Sequence, residues 1–262
     1  MNKHDFLPCT IKEVIDEADN VRTLILDKKI DAKPANFIMV WLPGINEKPF
    51  ALAYTDRIGI TLKALGDYTQ KLFKMKIGDK LWIRGPYGNS FLDFLDNKKK
   101  HYLMAGGTGA APLAMLAEHI RNKPIVFLGG RGKKDLVFEE RFKKSSEIFV
   151  STNDGSKGTQ GLITDIFNEV KIEKDSQFFI CGPEKMMLAV SKKASQFTDT
   201  ENIFCSLEKY MKCSRGICGQ CDICGYRVCT DGPVFSYEQL IGCNDFGSMK
   251  REISGKLIAI DH

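Results

Sequence analysis

The sequence contains no long apolar run, and no stretch approaches the ~20 consecutive apolar residues that a membrane-spanning helix requires. Its amino terminus does not resemble a signal peptide, so we expect a protein of the reducing cytoplasm. Basic residues interleaved with aromatic ones, which would indicate nucleic-acid binding, are absent. The four histidines are scattered, and no carboxylate pair or Ser/His set indicates a hydrolase. These absences predict a cytoplasmic protein that binds neither membranes nor nucleic acids.

The composition is that of a globular protein, with 43% hydrophobic and 27% charged residues. A length of 262 residues accommodates two ordinary domains and a small third one. The net charge of +5 comes from dispersed lysines. Cysteine is concentrated instead, because seven of the nine lie between Cys205 and Cys243. We therefore predict a separate cysteine module near the carboxyl end.

The most specific pattern in this module is the spacing of three cysteines. Cys213, Cys218 and Cys221 read C-x4-C-x2-C, the start of the plant-type [2Fe–2S] pattern, which takes a fourth thiolate further along the chain. Gly216 and Gly219 lie between them, where a loop folded tightly over inorganic sulfide needs residues without a Cβ. Zinc usually takes two separate Cys-x2-Cys pairs, and disulfides are rare in a reducing compartment. We therefore rank an iron–sulfur cluster first, structural zinc second and disulfides last.

Two cysteines compete for the fourth position. Cys224 would crowd all four thiolates into twelve residues, whereas the plant-type pattern takes its last ligand after a longer excursion. A predicted strand, Tyr226–Val228, rises from a turn at Gly225 and would carry Cys229 back to the other ligands. We therefore predict that Cys229 is the fourth ligand and that Cys224 is a free thiol. Two further cysteines are expected to be packing residues: Cys205 and Cys243.

Residues 1–98 are predicted to form an antiparallel β-barrel that is the first domain. Short β-rich runs without a helical period, separated by Gly, Pro and Asn, indicate this architecture. The runs are Thr10–Ile15, Val21–Leu26, Phe37–Trp41, Ile58–Leu65 and Lys80–Arg84. One short helix is predicted at Thr69–Met75.

Residues 99–202 alternate apolar strands with helices, which predicts a parallel, doubly wound α/β sheet. The predicted strands are His101–Ala105, Pro124–Leu128, Ile148–Ser151 and Phe178–Cys181. The predicted helices are an amphipathic one at Ala111–Ile120 and others at Phe138–Lys143, Leu162–Val170 and Pro183–Ala194. Residues 203–262 form the cysteine module, with a last strand at Leu257–Ile260.

Two loops at strand ends are predicted to bind a nucleotide. A glycine loop between a strand and a helix lets backbone N–H groups approach a pyrophosphate, which then rests on the positive helix end. The second loop lies at the carboxyl end of a later strand, the edge where open α/β sheets bind ligands. Met186 and Met187 are expected on the core face of the helix that follows. The candidate residues are Gly106, Gly107, Thr108, Gly109 and Pro112 in the first loop and Cys181, Gly182 and Pro183 in the second.

Together these motifs resemble the ferredoxin reductase-like flavoproteins, and within them the dihydroorotate dehydrogenase electron transfer subunits of the PyrK type. Both loops match the nicotinamide nucleotide motifs of that family, while residues 206–213 and Val228–Phe235 match its cluster module. The resemblance covers nearly the whole chain. It implies FAD, a [2Fe–2S] cluster and NAD as cofactors. It also implies a partner subunit that oxidises dihydroorotate to orotate on its own FMN, in a heterotetramer serving pyrimidine biosynthesis.

The resemblance also places FAD on the barrel. The family binds FAD through Arg-Pro-x-Ser and a later Gly-x-x-Thr, which correspond here to residues 48–51 and 66–69. Lysine in place of arginine keeps the positive charge but loses the bidentate fork. Alanine in place of serine removes a hydroxyl that the family places near the isoalloxazine ring. The implied FAD contacts are Lys48, Pro49, Phe50, Ala51, Leu62, Lys63, Tyr68 and Thr69.

Some alternatives stay open in the sequence. Arg131, Lys133 and Lys134 follow a strand without a terminal acidic residue, so they could bind a 2′-phosphate of NADP or form a solvated loop. The resemblance keeps NAD first. Rival functions are the small subunit of an NADPH–ferredoxin or sulfide oxidoreductase, or a hydrogenase diaphorase subunit. A rival of another class is a non-enzymatic, zinc-stabilised scaffold.

Overall fold

The computed structural model of the protein describes residues 3–252 and 254–260. Its first part is the predicted antiparallel barrel. The elements are β1 (Leu7–Ala18), β2 (Val21–Leu26), β3 (Phe37–Leu42), β4 (Asn46–Ala51), β5 (Gly59–Lys63), α1 (Asp67–Phe73) and β6 (Lys80–Tyr87). The strands are ordered β4-β3-β6-β1-β2-β5, and a bridge between Leu52 and Ile60 joins the two ends of the sheet.

The strand β4 lies outside the predicted β-rich runs. Its first residues, Asn46 to Pro49, belong to types that are depleted in strands, so their local preference for a β-strand is weak. Tertiary pairing decides the conformation, because β4 pairs along its whole length with the strongly apolar β3.

The predicted doubly wound sheet is also confirmed. It begins with β7 (His101–Gly106), α2 (Ala110–Ala117), β8 (Ile125–Gly130), α3 (Glu139–Ser145), β9 (Glu147–Thr152), β10 (Thr159–Gln160), β11 (Gln177–Cys181) and α4 (Glu184–Ala194). Neighbouring strands among these are parallel. The predicted helix at Leu162–Val170 is instead a short 3-10 helix, Ile163–Asn168.

The prediction that the first helix of this sheet is amphipathic is wrong. Every residue of α2 is buried. The helix is packed on both sides, because Met115 belongs to the barrel core while Leu113 and Leu116 belong to the core of the sheet. The helix thus packs between the barrel and the sheet and holds the two together.

The rest of the chain begins as a continuation of the same sheet. Its elements are β12 (Ile203–Ser206), β13 (Asp222–Ile223), β14 (Tyr226–Arg227), α5 (Val228–Asp231), β15 (Val234–Ser236), α6 (Tyr237–Leu240), β16 (Met249–Arg251) and β17 (Leu257–Ala259). β12 pairs parallel with β11, and β15 closes the edge antiparallel to β12. β13 and β14 form a hairpin, as do β16 and β17. The predicted domain limits at residues 98 and 202 stay predictions.

Two cysteine assignments are corrected by the structure. Cys224 was expected to be free and Cys243 to be a packing residue, but the two form a disulfide with a Cα–Cα distance of 5.9 Å. Cys224 is exposed at the tip of the β13–β14 hairpin, which places its thiol beside the half-buried Cys243 that follows α6. Cys205 is buried as expected and contacts the Ser191 hydroxyl.

No helix within residues 3–252 and 254–260 is both long enough and apolar enough to cross a membrane.

The disulfide is predicted to contribute to the thermal stability of the fold. A crosslink between residues 19 positions apart stabilises a fold by about 3 kcal/mol, chiefly by restricting the unfolded chain. We expect Cys243→Ser, or a reductant applied to the wild type, to lower the thermal unfolding midpoint. The double variant Cys224→Ser/Cys243→Ser is the control and should not respond to reductant.

Counting thiols checks the same bond independently. Unfolding without reductant should leave seven cysteines open to alkylation, and reduction should raise that number to the nine in the sequence. Nine alkylated thiols before reduction would show that Cys224 and Cys243 are not bonded.

Candidate functional site

A cavity of about 370 Å³, here called the barrel cavity, lies where the barrel meets the sheet. Its barrel wall is built by β4 and β5, the two edge strands of the barrel sheet, which the bridge between Leu52 and Ile60 brings together. Seven of the eight predicted FAD contacts line it: Lys48, Pro49, Phe50, Ala51, Leu62, Lys63 and Thr69. The sequence motifs thus converge on one volume.

Tyr68 is the predicted contact that does not line this cavity. It is buried beneath the wall, and its hydroxyl donates a hydrogen bond of 2.6 Å to the Val40 carbonyl inside the barrel. The Phe50 ring stacks on it, and the Lys48 ammonium lies 5.6 Å from its ring centroid. Tyr68 therefore supports two lining residues, while burial raises the pKa of its hydroxyl.

The opposite wall was missed by the sequence prediction. The segment that leaves β12 runs along the cavity, and six consecutive residues line it: Ser206, Leu207, Glu208, Lys209, Tyr210 and Met211. The signal that could have found them was present, since this stretch belongs to the motif that resembles the family's cluster module.

A second cavity of about 890 Å³, the sheet-edge cavity, opens at the carboxyl ends of the parallel strands. The predicted nucleotide residues Gly106, Gly107, Thr108, Gly109, Gly182 and Pro183 line it. Pro112 is buried in α2, and Cys181 lines the barrel cavity instead. Met186 is half-buried and packs against the core as expected, and it also lines the sheet-edge cavity; Met187 is fully buried as expected.

Gly109 is required by a close backbone approach. A Cβ at this position would lie 2.5 Å from the Cys181 carbonyl and 2.6 Å from the Gly182 nitrogen. Only glycine therefore lets the loop after β7 touch the loop after β11. The contact brings the two predicted nucleotide loops together into one binding edge.

The two cavities share a wall formed by Lys63, Leu65, Thr108 and Glu208. The Glu208 residue is exposed to the solvent of the cavities, but the protein atoms crowded around its carboxyl raise the pKa of that group, and the negative charge of Glu184 raises it further. The Cys181 thiol is 2% exposed and donates to the Ser206 carbonyl at 3.8 Å; burial raises its pKa as well. A neutral thiol and a carboxyl with a raised pKa therefore lie near the junction of the cavities.

A buried ion pair anchors this wall. Lys209 Nζ lies 2.7 Å from Glu184 Oε1, and the two side chains are only 6% and 10% exposed. Glu184 also accepts from the Gly247 N–H at 3.2 Å, and Lys209 donates to the Met249 carbonyl at 3.3 Å. Glu184 lines the sheet-edge cavity and Lys209 the barrel cavity, so one interaction ties both sites to the chain's last segment.

The basic residues after β8 have different surroundings. Arg131 lines the sheet-edge cavity, whereas Lys134 forms an exposed ion pair with Asp19. Asp135, which also lines this cavity, pairs with Lys63 of the barrel at 3.1 Å. The loop therefore presents one cation and one carboxylate to a bound nucleotide.

The four predicted cluster ligands come together on the loop that follows the barrel-cavity wall. The thiols contact one another in pairs: Cys218 with Cys213, Cys213 with Cys229, and Cys229 with Cys221. Cys224 is held apart by its bond to Cys243. Within residues 3–252 and 254–260, no three or more His, Cys, Asp or Glu converge on a position for a single metal ion.

Backbone N–H groups point at two of these sulfurs. Those of Arg215 and Cys218 donate to Cys213 Sγ, and that of Gly216 donates to Cys229 Sγ, each at 3.4 Å. Burial raises the pKa of Cys213, but these donors bring it below its usual value. The Cys221 thiol donates to Cys229 and lowers its pKa to about 6. The loop thus favours the thiolate, the form that binds iron, at Cys213 and Cys229, whereas the hydrogen bond to Cys229 and burial raise the pKa of Cys221.

The loop geometry fits a cluster in two further ways. Gly216 and Gly219 adopt φ angles of +73° and +70°, so both predicted glycines occupy the left-handed region that disfavours a Cβ. The Ser214 hydroxyl is buried and has no hydrogen-bond partner among the described residues. A donor is therefore available to an acceptor such as inorganic sulfide.

The barrel packs on a doubly wound sheet, glycines line the nucleotide edge, and one loop carries four thiols. Together these features define a flavin-dependent, NAD-linked reductase with an iron–sulfur module. Residues 208–241 match the family described as "Iron-sulfur cluster binding domain of dihydroorotate dehydrogenase B", and residues 103–192 match "Oxidoreductase NAD-binding domain". These are the regions that the motifs indicated.

Curated relatives identify the family. The chain is 44% identical to the "Probable dihydroorotate dehydrogenase B (NAD(+)), electron transfer subunit" of Pyrococcus horikoshii, covering 95% of this chain and 96% of the relative. It is 41% identical to the protein of the same name from Methanocaldococcus jannaschii, with 95% and 97% coverage. The chain therefore belongs to the family of dihydroorotate dehydrogenase B electron transfer subunits. It is an oxidoreductase subunit for electron transfer whose cofactors are FAD, a [2Fe–2S] cluster and NAD.

Solved structures agree on the fold. The NADH-dependent reduced ferredoxin–NADP oxidoreductase aligns with a TM-score of 0.76 and 26% identity, covering 90% of this chain and 92% of the other. A ferredoxin NADP+ reductase from Neisseria gonorrhoeae, solved with bound FAD and NADP, aligns with a TM-score of 0.64 and 14% identity, covering 73% and 91%. The second likeness shows the fold alone.

The contact at Gly109 makes a testable prediction. Gly109→Ala forces a Cβ into the Cys181 backbone, so we expect the unfolding free energy to fall by about 1–3 kcal/mol and NADH binding to weaken. Gly78→Ala is the control, because its Cβ meets open space in a barrel turn and only the left-handed backbone costs about 1 kcal/mol. Denaturation curves and NADH titrations measure both effects. Unchanged NADH affinity in Gly109→Ala would show that the contact between the two loops is not required for nucleotide binding.

Proposed function

We propose that this chain carries electrons from a catalytic subunit, which oxidises dihydroorotate on FMN, to NAD. The course of residues 206–213 carries the proposal. This segment starts at the carboxyl end of β12, lines the barrel cavity and ends at Cys213. One short stretch therefore connects the nucleotide edge, the flavin site and the cluster loop in the order that electron transfer requires.

Bound in the two cavities, FAD and NAD would supply hydride transfer, and a cluster on the Cys213–Cys229 loop would supply single-electron transfer. The chain's residues orient these groups and exclude water. Lys48 offers positive charge to the flavin phosphates at the mouth of the barrel cavity, while Phe50 and Leu62 supply apolar walls. Cys181 lines the barrel cavity with a buried thiol, which helps to exclude water from the flavin site.

The ligand assignment in this proposal is Cys213, Cys218, Cys221 and Cys229. Three contacts among these thiols support it, together with the three N–H donors directed at Cys213 and Cys229. Cys224 is not proposed as a ligand, because its sulfur is bonded to Cys243.

Replacing the two competing cysteines tests this assignment. We expect Cys229→Ser to lose or distort the cluster, because a ligand and an acceptor for the Gly216 N–H are removed together. Cys224→Ser should keep its iron, since only the tie to Cys243 is lost. Iron content and the EPR signal of the reduced protein measure both. The reverse pattern would assign the fourth position to Cys224.

The surface around the cluster loop supports a docking partner. Cys218 is exposed, and the neighbouring Ile217 is 79% exposed on the same loop. Ile241, close in sequence to the Cys243 disulfide partner, is 56% exposed. A single-electron centre needs a second redox site nearby, and exposed apolar residues beside a ligand are suited to a protein interface. We propose a heterotetramer of two such chains and two catalytic subunits.

Co-expression with the catalytic subunit tests the assembly and the reaction together. We expect the pair to elute as one species with the mass of a heterotetramer, and dihydroorotate to reduce NAD only when both subunits are present. Ile217→Glu should weaken association without loss of iron, and Ile77→Glu, an exposed site on the barrel, is the matched control. A lone chain that oxidises dihydroorotate unaided would contradict this proposal.

A further inference from the structure

Arg84, on the barrel strand β6, is a buried cation outside both cavities. Its side chain is 7% exposed. It forms a bidentate ion pair with Glu47, with Nε–Oε1 and Nη2–Oε2 distances of 2.5 and 2.8 Å. The same guanidinium also contacts the Tyr87 hydroxyl at 3.3 Å. The Glu47 carboxylate alone balances the charge of the guanidinium, so any further contacts of Arg84 are not needed for charge neutralisation.

Arg84 nevertheless reaches beyond the barrel. Its Nη1 donates to the carbonyl of Cys213 and its Nη2 to the carbonyl of Lys212, each at 2.9 Å. Cys213 is the first predicted cluster ligand. The barrel thus holds the peptide that carries this ligand through two charge-assisted hydrogen bonds.

The other end of this network lies on the flavin segment. Glu47 directly precedes Lys48 on β4, and Lys48 lines the barrel cavity. A rigid path therefore runs from the flavin wall through the Glu47 carboxylate and the Arg84 fork to the Cys213 peptide. The planar guanidinium suits this task, because its donors have a fixed geometry that a lysine ammonium lacks.

We propose that Arg84 is a positioning residue that fixes the cluster's first ligand relative to the flavin, and thereby sets the rate at which single electrons pass between them. The inference rests on the proposed ligand set. In this step one electron leaves the reduced flavin and one enters the oxidised cluster, and NADH is the reductant. Arg84 touches neither group and acts through Glu47 and the backbone.

Arg84→Lys is the first test. A single ammonium can keep the charge pair with Glu47 but cannot also hold both carbonyls, so the Cys213 peptide loses its fixed position. We expect flavin reduction by NADH to proceed at the wild-type rate, while the following reduction of the cluster slows by about ten- to hundred-fold. The EPR signal of the reduced cluster should change in shape, which is a readout independent of turnover.

Glu47→Gln tests the charge of the same network. Arg84 keeps its bonds to the two carbonyls, but its positive charge is no longer balanced by a carboxylate. A reduced cluster carries one more negative charge than an oxidised one, so we expect the cluster's midpoint potential to rise. The double variant Arg84→Gln/Glu47→Gln leaves no unpaired buried charge. It should slow cluster reduction as Arg84→Lys does.

Arg141→Lys is the matched control. Arg141 also forms a two-bonded pair, with Glu118 at 2.6 and 2.7 Å, and also donates to a backbone carbonyl, that of Ala53. It links barrel and sheet without contacting the cluster loop. This variant should therefore keep the wild-type EPR signal and the wild-type rate of cluster reduction.

The outcomes separate the inference from the proposed function. A wild-type chain that binds no iron would overturn both. Wild-type iron and EPR signal, together with unchanged cluster reduction in Arg84→Lys and the double variant, would overturn the role of Arg84 alone. Loss of iron with FAD retained would support it, because a displaced Cys213 is its direct consequence. Loss of both cofactors would contradict it, since Arg84 would then serve the whole fold.

Discussion

The buried ion pair between Lys209 and Glu184 is the interaction on which the arrangement of sites depends. It fastens the middle of the 206–213 segment to the first turn of α4, where the nucleotide edge begins. Desolvating two charges is costly, and such pairs contribute little net stability compared with apolar packing. Removing either partner, however, leaves an uncompensated buried charge and costs about 3–5 kcal/mol. Here the pair permits one course for a segment that must pass three sites, and the Gly247 and Met249 backbone contacts complete it.

The cluster loop is held from two further sides. The Arg84 guanidinium fixes the peptide of Cys213, the first proposed ligand, and the Cys224–Cys243 disulfide ties down the hairpin between Cys221 and Cys229, the third and fourth proposed ligands. Between these ties the loop itself is short, glycine-rich and exposed at Cys218. The arrangement meets two opposed demands, since a cluster needs rigid ligands while an electron carrier must present one edge to a partner. Rigid support lies beneath the loop, and the outer edge stays accessible.

Local signals in the sequence were sufficient for the fold. They also predict the cluster ligands, but they do not reveal the residues that support these sites. The strand Val21–Leu26 and the ligand spacing are properties of neighbouring residues, so periodicity and spacing reveal them. Glu208 and Lys209 interact with Glu184, 24 and 25 positions away. Arg84 contacts Glu47 and Cys213, which are 37 and 129 positions away, and no local pattern encodes such pairs. The burial of α2 could have been read from its sequence, because Ala110–Ala117 contains no charged residue. The disulfide could not be predicted, because only the fold brings Cys224 and Cys243, 19 positions apart in the sequence, within bonding distance.

The alanine at position 51 raises the question of what replaces the family's serine hydroxyl. Thr61, on the neighbouring strand β5, lines the same cavity as Ala51. Its hydroxyl lies 2.8 Å from that of Thr23, which donates its own proton to the Glu17 carboxylate at 2.7 Å. Because Thr23 has one proton to give, the proton between the two threonines must come from Thr61. The Thr61 oxygen can then only accept a hydrogen bond. The barrel therefore keeps a hydroxyl group in the cavity wall, but its proton is already donated to Thr23.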